Sequence, residues 1–223
     1  MDKLLLLLFL FTMTTNTNAQ EAFVWPLKEL DTAREVSYLS EQEKDIVLEM
    51  NMLRYNPAMY AQQHMQWMEA FYSGKLLKIP GKTPYQTEEG RSALQECLKV
   101  LKQASPAPIL YPSNGMTKAC ELLVYDQGNT GKTGHRGSDN STPDSRLNRF
   151  GTFTGYFAEN IHYGDAEPRF IIISLLIDDG VRSRGHRNTL LSADYHHTGV
   201  ATGAHKYGEM CVINYASSFT EKH

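Results

Sequence analysis

Apolar positions along this chain fall into blocks whose spacing changes from helical to alternating toward the C-terminus. Ser40-Glu41-Gln42-Glu43 reads as a capping box, with the serine capping the helix start and Glu43 reaching back. Behind it Ile46, Val47, Met50, Leu53 and Arg54 follow helical spacing. Asn56-Pro57 breaks that helix and Pro57 opens another. In it Met59, Tyr60, His64, Trp67, Met68 and Phe71 predict an amphipathic face, with His64 as a core or edge histidine. Gly74, Pro80, Gly81 and Pro84 make residues 73–86 a loop. Leu94, Leu98 and Leu101 predict a helix over 88–103, ended by Pro106 and Pro108. Met116, Ala119, Cys120, Leu123 and Val124 predict another over 114–126.

The segment 127–145 is rich in Gly, Ser, Thr, Asp and Asn and reads as a long loop, the kind that carries function or mobility. Residues 145–150 suit one or two helical turns, stopped by Gly151. Alternation over 156–163 suits a strand, while 169–177 fits a strand or a buried helix equally. The stretches 195–204 and 210–217 are rich in β-formers and separated by turn residues, which predicts a hairpin. Helices and strands mix without βαβ alternation, so the class is α+β.

The first twenty residues stand apart. Lys3 precedes the apolar run 4–11, a small polar stretch follows, and Thr17 and Ala19 fit a signal-peptidase site. A signal peptide over 1–19 is expected, cleaved before Gln20, followed by an N-terminal arm over 20–39. The run is far shorter than the ~20 residues that span a bilayer. The expected location is outside the cell, or the periplasm in a Gram-negative host, with no transmembrane segment.

A formal net charge of −3 over 223 residues gives no long-range pull toward nucleic acid. Arg182, Arg184 and Arg187 cluster locally and read as a solvated loop. Three cysteines, Cys97, Cys120 and Cys211, leave an odd thiol, and no CxxC pair suggests a metal cluster. Cys97 and Cys120 sit among apolar neighbours and read as buried free thiols. Asn140-Ser141-Thr142 is a glycosylation triplet, read here as an unmodified loop.

Candidate chemistry narrows to three segments: 133–138 around His135, 158–161 around Glu159, and 183–188 around His186. Two histidines and a carboxylate are ligand types for a divalent transition metal, but only the fold can bring residues so far apart together. Ser138 and Ser183 lie close to the histidines in sequence and are conceivable nucleophiles, although serines there more often cap turns. Neither a GxSxG elbow nor an HExxH helix occurs.

Five segments in order resemble the CAP superfamily of cysteine-rich secretory, antigen 5 and pathogenesis-related group one proteins. Met50 to Pro57 is similar to its first-helix signature, with Asn51, Arg54 and Pro57 at three-residue steps. Gly134-His135 followed by Gly137 to Ser141, with Arg146 beyond, resembles its first histidine motif. Ala158-Glu159-Asn160-Ile161 resembles its acidic segment, and Ser183 to Asn188 its second histidine motif. Thr198-Gly199-Val200-Ala201 is similar to the strand that follows. The likeness runs from about residue 43 to 219, within a domain set at 40–219, with 61–105 longer than a minimal member and read as an insertion.

The resemblance implies an α-β-α sandwich with a central antiparallel sheet, in which the segment before Asp178 becomes a helix. It implies a cleft formed by His135, Glu159, His186 and a fourth acid. Asp179, or else Asp178, stands where that acid belongs, and the usual tryptophan nearby is missing. His135 and His186 would then hold zinc or another divalent metal, with Glu159 as the candidate catalytic or supporting carboxylate. The expected function is an extracellular binding role for an unidentified ligand. The alternatives are a metal-dependent hydrolase of peptidase type, or a module binding a lipid, sterol, peptide or protein without catalysis. A monomer without robust enzyme activity is expected.

Overall fold

The structure, a computed structural model, describes residues 23–222. The expected signal peptide at 1–19 lies outside the described residues. A short helix α1 (Leu27–Leu30) leads into α2 (Glu41–Tyr55), whose start carries both halves of the capping box. Ser40 accepts from the Glu43 amide, and the Glu43 side chain accepts from the Ser40 amide at 2.8 Å.

The second amphipathic helix forms, but irregularly. Regular α3 (Pro57–Tyr60) passes into a wider π segment at Ala61–Met65 and a tight 3₁₀ segment at Gln66–Phe71. His64 lies there between the rings of Trp25 and Tyr60. The segment expected as a plain loop contains a small antiparallel sheet of two-residue strands: β1 (Tyr72–Ser73), β2 (Leu76–Leu77) and β3 (Tyr85–Gln86). Strands this short leave no alternation to read. Then follow α4 (Arg91–Gln103), β4 (Tyr111–Pro112), α5 (Asn114–Thr130) and α6 (Pro143–Phe150). Both α5 and α6 extend into the predicted loop, so only residues 131–142 are irregular. The chain closes with β5 (Gly151–Gly164), α7 (Pro168–Ile177), α8 (Gly185–Leu191), β6 (His197–His205) and β7 (Gly208–Glu221).

The main sheet has the order β4-β6-β7-β5. The hairpin β6–β7 and the pair β5–β7 are antiparallel, whereas β4 joins β6 in parallel, so the sheet is mixed at one edge. Helices α5 and α6 cover one face; α2, α7 and α8 pack on the other. This is an α+β three-layer sandwich. The ambiguous segment is the helix α7, and its residues are almost all buried. A helix sandwiched on nearly all sides loses the polar stripe that would identify it. Helix α5 seats so closely on the sheet that a Cβ on Gly199 would collide with the backbone of Met116 and Thr117.

The first-helix signature acts as stitching. Asn51, fully buried, donates to the carbonyls of Leu30 (2.8 Å) and Leu110 (3.1 Å) and accepts from the Leu110 amide at 2.7 Å. Arg54, also fully buried, donates to the carbonyls of Pro108, Leu190 and Tyr195 at 2.7, 2.8 and 2.9 Å. All three cysteines are buried and free, and burial pushes the Cys97 thiol up to about 12.

Candidate functional site

Strand β5 is one of the two edge strands of its sheet, and two histidine–carboxylate pairs meet it at the consecutive residues Glu159 and Asn160. Glu159 points into the α5–α6 layer, 1% exposed. One carboxylate oxygen receives Nδ1 of His135 at 3.0 Å; the other receives the Arg146 guanidinium at 2.7 Å. Arg146, equally buried on α6, also donates to the carbonyls of His135 (3.1 Å) and Ser141 (3.2 Å). It thereby fixes both the carboxylate and the loop that carries the imidazole. The His135 ring is 52% exposed.

Next along the strand, Asn160 points the other way, as alternation requires. It donates to the His186 carbonyl at 3.2 Å and so ties α8 to the strand. His186 Nδ1 lies 2.6 Å from Asp178 Oδ1, and the His186 amide donates to Asp178 Oδ2 at 3.0 Å. One carboxylate thus holds the imidazole and closes the exposed start of α8. Asp178 reaches this position through a left-handed backbone (φ 53°, ψ 44°), which aspartate tolerates better than most residues.

Of the two aspartates expected as alternatives for the fourth acid, Asp178 is the one that pairs with His186, and Asp179 does not. Asp179 turns away and accepts from the amides of Glu88 and Glu89 at 2.6 and 2.9 Å, ahead of α4. The left-handed kink at Asp178 separates the two neighbouring carboxylates. Of the arginine cluster expected to be solvated, Arg182 is exposed but Arg184 and Arg187 are not. Arg187 is buried against Glu96 at 2.7 Å, and Arg184 pairs with Glu89 at 2.7 Å. Ser138 gives its hydroxyl and its amide to Asp126. Among the described residues, neither Ser138 nor Ser183 hydrogen-bonds a histidine side chain.

In both pairs the carboxylate occupies Nδ1, which leaves each Nε2 as the nitrogen for a further ligand. No described residue hydrogen-bonds either Nε2. No group of three or more His, Cys, Asp or Glu able to hold a metal occurs among the described residues.

A third histidine escaped the sequence reading. His162 on β5 is 8% exposed, and its Nε2 lies 3.2 Å from the Asp165 carbonyl. Burial lowers its pKa from 6.5 to about 4, with nearby His186 pulling the same way and Asp165 opposing. Its only sequence signal was its place in the predicted strand. Between those two values the unfolded chain binds the extra proton, so stability is complete above about pH 6.5 and falls as pH drops toward 4. The full loss is about 3 kcal/mol at ~1.4 kcal/mol per decade. We expect His162→Phe to show a smaller drop in urea midpoint between pH 7 and pH 4.5 than the parent. Equal drops in both proteins contradict this.

A mixed sheet between two helical layers, with paired histidines and acids at one edge strand, defines the sandwich class set out above. The chain belongs to the cysteine-rich secretory protein family, CAP, whose model matches residues 49–215. Two solved structures are similar. One is an extracellular protein containing an SCP domain from Bacillus anthracis str. Ames, 20% identical, with a TM-score of 0.39, covering 49% of this chain and 34% of that one. This chain thus spans about a third of that protein's length. The other is an outer surface protein from Borrelia burgdorferi, 15% identical, with a TM-score of 0.40, covering 55% of this chain and 86% of that one. No curated protein matches the chain.

Proposed function

We propose that this is an exported protein whose histidine–carboxylate cleft binds a divalent transition metal, zinc first, and presents it to a further ligand. The composition of residues 1–19, which is that expected of a signal peptide, supports export. The observation that carries the metal reading is the like pairing of His135 and His186, each with Nδ1 on a buried carboxylate and, among the described residues, no hydrogen-bond partner at Nε2. Carboxylates behind metal-bound imidazoles fix the tautomer and raise ligand basicity, which is what Glu159 and Asp178 are placed to do. A bound ion would supply Lewis acidity to whatever coordinates its remaining positions. Arg146 and Asn160 hold the two sides of the cleft against β5.

Calorimetric titration of the full chain with zinc at pH 7.5 tests this. One equivalent is expected to bind, with the heat lost in both His135→Ala and His186→Ala. Imidazole must be neutral to ligate, so uptake is expected to weaken at pH 5. No heat with the unaltered protein, or undiminished heat in either variant, overturns the reading.

A further inference from the structure

Farther along β5 from the histidine pairs lies a cavity of about 530 Å³. Its volume is within the range that holds small organic ligands, ~300–1,000 Å³. Residues 162–165, the end of β5 and the residue after it, form one side; α7, the small sheet and the β6–β7 turn form the rest. The walls are chiefly apolar and aromatic, with Leu77, Ile79, Tyr85, Phe170 and Tyr207 among them. Tyr85 and Tyr207 are exposed at 50% and 60%, so ring surface faces solvent at this site.

Two features restrict what such a space takes. The first is charge. Lys82 reaches across from the small-sheet segment and pairs with Asp165 at 2.7 Å and Glu167 at 3.2 Å, its ammonium 4.0 Å from the Phe170 ring centre. Its charge is already matched, and so is that of Asp165. Neither an acid nor an amine finds an unpaired counter-charge in this wall.

The second is His162. Its Nε2 faces the Asp165 carbonyl, which can only accept, so that nitrogen carries the proton. Nδ1 therefore presents a lone pair, and among the described residues it has no hydrogen-bond partner. Thr83 and Ser174 add hydroxyls to the wall, but these can donate as well as accept, whereas His162 Nδ1 can only accept, so it favours a ligand that brings a donor.

We infer that this cavity binds a small uncharged aromatic molecule bearing one hydroxyl or N–H donor, with its ring against Phe170 and its donor on His162 Nδ1. The inference needs no metal, so its outcome is separate from that of the zinc titration.

The experiment is a protein-observed NMR titration of the full chain, without metal, using p-cresol, toluene and p-toluate. These probes share a ring and methyl group and differ in carrying a neutral donor, no polar group, or a negative charge. Saturable p-cresol binding is expected, on the order of fivefold tighter than toluene, the worth of one neutral hydrogen bond. p-Toluate is expected to bind weaker than either. His162→Phe should bring p-cresol level with toluene. Ser174→Trp, at an exposed α7 position that lines the space, should abolish binding of both while leaving the fold intact. Equal binding of p-cresol and toluene by the unaltered protein overturns the inference. So does unsaturable binding, tighter p-toluate binding, or p-cresol binding retained in a folded Ser174→Trp protein.

Discussion

Replacing Arg54 with methionine is expected to cost about 3–5 kcal/mol, a large part of the ~5–15 kcal/mol that holds a typical domain folded. Methionine roughly matches the arginine stem in length, so packing is largely kept and hydrogen bonding is what is lost. Among the described residues Arg54 has no carboxylate as a side-chain hydrogen-bond partner; it donates to three carbonyls from separate segments, at Pro108, Leu190 and Tyr195. Burial lowers its pKa to about 10, so it remains charged at neutral pH. Without the guanidinium those three carbonyls lose a donor each, at ~1–3 kcal/mol apiece where no water enters. Arg54→Lys should be intermediate, since an ammonium is a compact point donor and cannot reproduce a planar fork. Urea midpoints read both effects. A midpoint for Arg54→Met within experimental error of the parent contradicts this account.

The second large effect is expected at Arg146. This arginine and Glu159 are both 1% exposed, and their 2.7 Å contact is the charge balance of that carboxylate. Removing one member of a buried pair strands the other, typically at ~3–5 kcal/mol. Arg146→Met should therefore destabilise strongly and also release the loop at His135, whose carbonyl it binds at 3.1 Å. The stability loss comes from a stranded charge, so adding Glu159→Gln should recover part of it. The double variant is expected to be more stable than Arg146→Met alone, a coupling that a double-mutant cycle reads directly. A double variant less stable than Arg146→Met removes the charge-balance explanation.

Local chemistry was legible where it is written in adjacent residues. The Ser40–Glu43 box, the stop at Asn56-Pro57 and the β6–β7 hairpin each follow from a few neighbouring side chains. Long-range partnerships were not. His135 and Glu159 are 24 positions apart, and only the β5 register and the Arg146 tether bring them to 3.0 Å. Choosing between Asp178 and Asp179 depends on one left-handed residue, which composition cannot reveal because both neighbours are aspartates. Arg184 and Arg187 read as solvated because their partners Glu89 and Glu96 lie some 90 residues earlier on a separate segment. The role of Asn51 and Arg54 also depended on coordinates. A family signature that could be mistaken for chemistry is hydrogen-bonded to backbone carbonyls and holds α2 to distant segments. The apolar run of α7 hid its helical period because nearly every face of that helix is covered.

The central claim is that two carboxylate-anchored imidazoles share one metal ion at an edge strand of the sheet. Anomalous diffraction at the zinc edge, from crystals of the full chain grown with zinc, addresses it directly. The account predicts one strong peak bonded to Nε2 of both His135 and His186, with Glu159 and Asp178 still on the Nδ1 atoms. No peak there, or zinc held by only one of the two histidines, contradicts it.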